Sequence, residues 1–140
     1  IQKKMNDFFI RTNKQLIERN KTLQKIKKIL DDLNISFFLE GGVLLGAIRS
    51  NAFIKWDHDV ELGVISENLY PNILKILTKA EKQNLKISFV DNNYNNLKIN
   101  IYEHWHSKFS ILGFKKTSNF LERDIYKYPS KFFYPMKSIL

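Results

Sequence analysis

In the run Trp56-Asp57-His58-Asp59-Val60-Glu61-Leu62, an acid stands at every second position. A β-strand projects alternate side chains from one face, so Trp56 to Val64 reads as a strand with three carboxylates on a common surface. Such neighbours lie about 7 Å apart at Cα, and their repulsion raises carboxyl pKa values unless a cation is shared. A hard divalent ion with oxygen ligands, Mg²⁺ or Mn²⁺, relieves that repulsion and bridges to substrate phosphates. Asp57, Asp59 and Glu61 are therefore candidate metal ligands and catalytic residues. His58 points to the opposite face and reads as a packing or hydrogen-bonding residue.

An acid-x-acid-x-acid strand alone is a weak signal, because exposed edges carry such alternation by chance and glycosyltransferases use a similar motif. The residues before it sharpen the reading. Ile35 to Leu39 is a β-prone run ending at Glu40-Gly41-Gly42, where glycine allows a sharp turn. Val43 to Ser50 then reads as a short helix with Leu44, Leu45 and Ile48 inward, and Asn51 to Lys55 as a loop. The free N–H groups at the start of that helix can hold a phosphate, which makes Gly41 and Gly42 candidate substrate-binding residues. Arg49 is a basic residue at the helix end, where the helix dipole also favours a cation.

The remaining pattern is that of an α/β chain with a mixed sheet. Phe9, Leu16, Leu23 and Leu30 recur at heptad spacing, with Ile26 and Leu33 offset, so Met5 to Leu33 reads as one long helix. Ser66 is a candidate N-cap for a helix over Glu67 to Gln83, with Pro71 in its first turn. Lys86 to Val90 and Leu97 to Tyr102 read as strands around a polar turn, and Phe109 to Phe114 as a further one. The expected architecture is a small sheet from strands near 36–40, 57–64, 86–90 and 97–102. The Val43 and Glu67 helices pack on it, and the N-terminal helix covers one side. The expected organisation is an N-terminal helix over residues 1–34 and one core over 35–140.

A length of 140 residues fits one core and one active site. The absence of cysteine excludes disulfides and thiolate zinc sites, and no apolar run approaches the roughly 18 residues of a membrane span. A cytoplasmic or membrane-peripheral protein is the expectation, with a Golgi lumenal one if a eukaryotic leader precedes Ile1. The net charge of +9 favours anionic partners; the lysine-rich, Asn- and Ile-rich composition is equally that of AT-rich coding. Basic motifs interleaved with aromatics are absent, so no nucleic-acid partner is expected. The basic N-terminal helix reads as a solvated face, with peripheral contact to anionic lipid as the alternative. His104 and His106 lack a third ligand at suitable spacing and read as packing or acceptor-contact residues. The start at Ile1 and the end at Leu140, without cap or turn, read as those of a fragment truncated at its C-terminus.

The stretch Phe38-Leu39-Glu40-Gly41-Gly42-Val43-Leu44-Leu45-Gly46-Ala47-Ile48-Arg49, continued by Phe53-Ile54-Lys55-Trp56-Asp57-His58-Asp59-Val60-Glu61-Leu62-Gly63, resembles the LicD/fukutin signature. The resemblance implies a nucleotidyltransferase fold related to polymerase β, with Asp59 and Glu61 as the metal-binding pair and Asp57 as the third acid. It implies that Gly41 and Gly42 hold phosphates and that Arg49 faces them. The implied reaction moves a phosphocholine- or ribitol-phosphate-type group from a CDP-activated donor to a glycan or glycolipid hydroxyl. Two positions depart from the pattern. Glu61 replaces an aspartate, and Asn100, in Leu97-Lys98-Ile99-Asn100-Ile101-Tyr102, stands where an acid is expected; Glu103 is the nearby substitute, although on a regular strand it faces away. Lys55 stands where the family often has proline. These departures keep open a catalytically degenerate nucleotide- or glycan-binding relative, and the acid-x-acid motif keeps open a glycosyltransferase.

Overall fold

A computed structural model describes residues 10–55, 60–123 and 126–129. Trp56, Asp57, His58 and Asp59 lie outside the described residues, so the acidic strand is seen only from Val60 onward. Of the long N-terminal helix expected over Met5 to Leu33, Met5 to Phe9 lie outside the described residues, and the described part is α1 at Asn13–Asp32, preceded by an extended Thr12. Thr12 accepts from the Gln15 N–H while the Gln15 side chain accepts from the Thr12 N–H. This reciprocal cap satisfies two of the orphan donors of a helix start.

Strand β1 (Phe37–Glu40) runs directly into helix α2 (Gly41–Ser50), which begins two residues before the expected Val43. Leu44, Leu45 and Ile48, expected inward, are exposed, Ile48 by 75%. Ala47 of α2 packs, with Phe53, against the main core. Strand β2 (Val60–Ile65) leads into a helix that is interrupted rather than continuous: α3 (Ser66–Leu69), a 3-10 turn at Tyr70–Asn72, then α4 (Ile73–Lys82). Pro71 supplies no N–H to the preceding turn, which accounts for the break. Ser66 is the first helical residue and makes no side-chain cap.

Strands β3 (Lys86–Asp91), β4 (Lys98–Tyr102) and β5 (Phe109–Lys116) complete a mixed sheet in the order β1-β2-β5-β4-β3. Only β2 and β5 are parallel, so the segment most weakly marked as a strand in the sequence is the central one. Strands β6 (Phe120–Arg123) and β7 (Tyr126–Pro129) form a hairpin that pairs with the end of β5. Arg123 ties it down by donating to the carbonyls of Leu97 and Gly113.

The two faces of the sheet differ in kind. On one, Leu39, Leu62, Val64, Ile99, Ile101, Phe109 and Ile111 bury against Leu23, Ile26, Ile29 and Leu30 of α1 and Ile76 and Ala80 of α4. The opposite face carries a smaller apolar cluster, Phe38, Ile65, Leu112, Phe114 and Leu121, and beside it the polar residues described next.

Candidate active site

The strand period puts Glu40, Glu61, Ser110 and Asn100 on the face away from α1 and α4, because their neighbours Leu39, Val60, Leu62, Phe109, Ile111, Ile99 and Ile101 fill the core. The registers then align them into one row across the sheet. Glu40 stands opposite Glu61, Glu61 opposite Ser110, and Ser110 opposite Asn100. Directly opposed residues have Cβ atoms about 4.5–5.5 Å apart, so the two carboxylates share one locale. Ser110, 3% exposed, donates from Oγ to Asn100 Oδ1 at 2.8 Å.

Gly41 lies at the head of α2 with φ +61, a conformation that costs an L side chain about 1–2 kcal/mol. A Cβ built on it would sit 3.6 Å from Glu61 Oε2. The Gly41 turn and the Glu61 carboxylate are therefore neighbours, with room for about one carbon atom between them. Arg49 belongs to the last turn of α2. Eight residues at about 1.5 Å rise set its backbone roughly 12 Å along the axis from Gly41. Asp57 and Asp59 lie outside the described residues. Among the described residues no group of three His, Asp or Glu side chains is arranged to hold a metal.

Two residues of the row carried no assigned role in the sequence. Glu40 was part of the turn, and only the β1–β2 register reveals that it faces Glu61. Ser110 had one signal, a lone polar residue in the apolar run Phe109 to Phe114. Glu103, the substitute acid considered for Asn100, is on the other side: it pairs with Lys25 of α1 at 3.0 Å. His106 binds Glu18 of α1, and its ring stacks on His104 at 5.2 Å. The Glu18 carboxyl is held below the ordinary glutamate range, chiefly by the His106 hydrogen bond. These histidines serve packing of α1 rather than the row.

Residues 34–140 match the family model described as LicD/FKTN/FKRP, nucleotidyltransferase domain. The match spans most of the chain, from just before β1 to the C-terminus, and the protein belongs to this family. At the level of individual relatives, it is 40% identical over 48 residues to ribitol 5-phosphate transferase FKRP of mouse and of human. Those 48 residues are 34% of this chain and 10% of FKRP. It is 28% identical over 128 residues to uncharacterized protein RP689 of Rickettsia prowazekii (strain Madrid E), 88% of this chain and 44% of that protein. The chain thus spans less than half the length of each of these relatives.

Proposed function

We propose that this chain carries the catalytic core of a Mg²⁺-dependent phosphotransferase with a nucleotidyltransferase-type fold. It would move a phospho-alcohol or phospho-sugar group from a CDP-activated donor to a hydroxyl of a glycan. The observation that carries this reading is the proximity of the Glu61 carboxylate to the Gly41 turn, within a row that continues through Glu40, Ser110 and Asn100 and inside the family-matched residues.

The donor chemistry of Glu61 suits a hard cation: it is a carboxylate on the sheet face away from α1 and α4, opposite the buried carboxylate of Glu40. Asp57, Asp59 and Glu61 are the residues that would hold Mg²⁺, which when bound neutralises phosphate charge. The N–H groups at the head of α2 would orient the phosphates. In the transfer, the acceptor oxygen bonds to phosphorus, the bond to the CMP leaving group breaks, and the acceptor proton passes to a carboxylate. Asn100 cannot take that proton, and Glu103 is engaged with Lys25. Glu40 and Glu61 are the carboxylates that the row itself supplies for that proton.

Asn100 also favours a second reading, a relative that binds the donor without turnover. Calorimetry and turnover assays with CDP-ribitol, CDP-choline and UDP-sugars, each with and without Mg²⁺, separate these. Metal-dependent CDP binding with transfer supports the phosphotransferase; binding alone supports the degenerate relative. Preference for UDP-sugars would move the assignment to a glycosyltransferase. Thermal melts add a check on the acids. The wild type gains melting temperature with Mg²⁺ and donor by mass action on the native state; Asp59→Asn gains little. A wild type indifferent to Mg²⁺ and an Asp59→Asn variant melting far lower would leave the acids as scaffold.

A further inference from the structure

The polar row does not end at Asn100. In the β3–β4 ladder Asn100 is opposite Phe89, across a register shift between Ile87 and Phe89. Ile87 packs against the main core and faces Ile101. The shift turns Phe89 to the other face, beside Asn100. There Phe89 is 48% exposed on an edge strand, an aromatic ring that burial does not explain.

Asn100 has a fixed orientation. Its Oδ1 accepts the Ser110 hydroxyl at 2.8 Å, which turns the Nδ2 amine, with its two protons, away from Ser110. A donor pair beside a solvent-facing aromatic ring is the equipment for a flat heterocycle with acceptor atoms on its edge. Stacking supplies affinity, and the amide supplies orientation. From Glu61 to Phe89 the row crosses three strand spacings, about 14 Å, which is the order of an extended nucleoside diphosphate.

We propose that Asn100, held by Ser110, and Phe89 form the nucleoside subsite of this chain. A nucleotide would lie along the row with its phosphates at the Gly41–Glu61 end and its base against Phe89. The inference rests on the phosphotransferase reading for the direction of the substrate. It assigns Asn100 a binding role in which the loss of an acid is a gain of a donor. Ser110 is a positioning residue that acts through Asn100.

The test uses the whole chain and two probes, CDP and inorganic pyrophosphate, titrated with and without Mg²⁺. Phe89→Ala is expected to weaken CDP binding about 10-fold, within the range for loss of one base–aromatic contact, and Asn100→Ala about 3- to 10-fold, as for loss of one hydrogen bond; both should leave pyrophosphate affinity unchanged. Phe89→Tyr should keep the wild-type affinity. Ser110→Ala should weaken CDP a few-fold, and Ser110→Thr, which restores the hydroxyl, should recover it. Phe89 is exposed, so its variants report on binding even if those at 100 or 110 fail to fold. Unchanged CDP affinity in Phe89→Ala, or equal losses for CDP and pyrophosphate, would overturn the subsite. A wild type that binds pyrophosphate as tightly as CDP overturns it as well, while leaving a phosphate and metal site in place. CDP binding that depends on Phe89 but ignores Mg²⁺ upholds the subsite and removes the metal. A wild type that binds neither probe overturns both.

Discussion

A Cβ built on Gly63 would come within 2.1 Å of the Phe38 ring, which itself packs on Phe114 with centroids 5.4 Å apart. Phe38 precedes Glu40 on the same face of β1, so the ring that occupies the glycine gap also sets where β1 lies against β2. Gly63→Ala should therefore destabilise by about 1–3 kcal/mol, the usual cost of overpacking, read by urea denaturation at unchanged m-value. Gly41→Ala tests a different cause. Its Cβ would meet only Glu61 Oε2 at an ordinary 3.6 Å, so the expected loss is the backbone cost of about 1–2 kcal/mol. A loss well beyond that would mean that the turn tolerates no side chain for a reason other than φ.

At the scale of elements, α1 is latched to the turn before β5 by polar contacts. Arg19, fully buried, donates from Nε and Nη2 to the His106 carbonyl at 3.1 and 3.0 Å and lies 5.4 Å from the Phe53 ring centroid. Arg19→Met keeps most of the packing but strips that carbonyl of its donors, for an expected cost of about 1–3 kcal/mol. Arg19→Lys should recover only part of it, since lysine lacks the fork. The Glu18–His106 contact gives the latch a pH dependence. Because the Glu18 carboxyl titrates below its ordinary value of 4.5, its stabilisation is fully present above that value. It is lost as pH falls through the folded-state value. The stability difference between wild type and Glu18→Gln should accordingly shrink as pH falls below the ordinary carboxylate range and vanish in strong acid; a difference that grows in acid would contradict the contact.

For the whole molecule, the family-matched residues begin at Asn34, yet the core does not. Leu23, Ile26, Ile29 and Leu30 of α1 are at most 4% exposed and cover the apolar face of the sheet. At about 1.5–3 kcal/mol for each such side chain, their removal forfeits roughly 6–12 kcal/mol. That is comparable to the whole net stability of a domain, about 5–15 kcal/mol. A fragment starting at Asn34 should show no cooperative melt, whereas adding α1 as a separate peptide should restore one in part. Three lysines of α1 are paired: Lys25 with Glu103 beyond β4, and Lys27 and Lys28 with Asp31 and Asp32 of the helix itself. No described helix is long and apolar enough to cross a membrane.

Local pattern was sufficient for what depends on neighbours along the chain. The α/β class, the turn at Gly41 and the strands near 37, 60, 86 and 98 are legible in hydrophobic period and glycine position. The helix starts are not read correctly from that period, which opens α1 at Met5 and α2 at Val43; the structure places them through the Thr12-to-Gln15 cap and the turn at Gly41, and closes α1, α2 and α4 at Asn34, Asn51 and Asn84 in the left-handed conformation. Tertiary structure decided what depends on register. That Glu40, Glu61, Ser110, Asn100 and Phe89 form one row follows from four strand pairings between residues up to 49 positions apart in the chain. Strand order carries no local signature, because each strand buries the same kind of apolar face whichever neighbour it pairs with. The inward assignment of Leu44, Leu45 and Ile48 failed for the same reason. A helical stripe states which residues share a face, and only the packed sheet determines which face is buried.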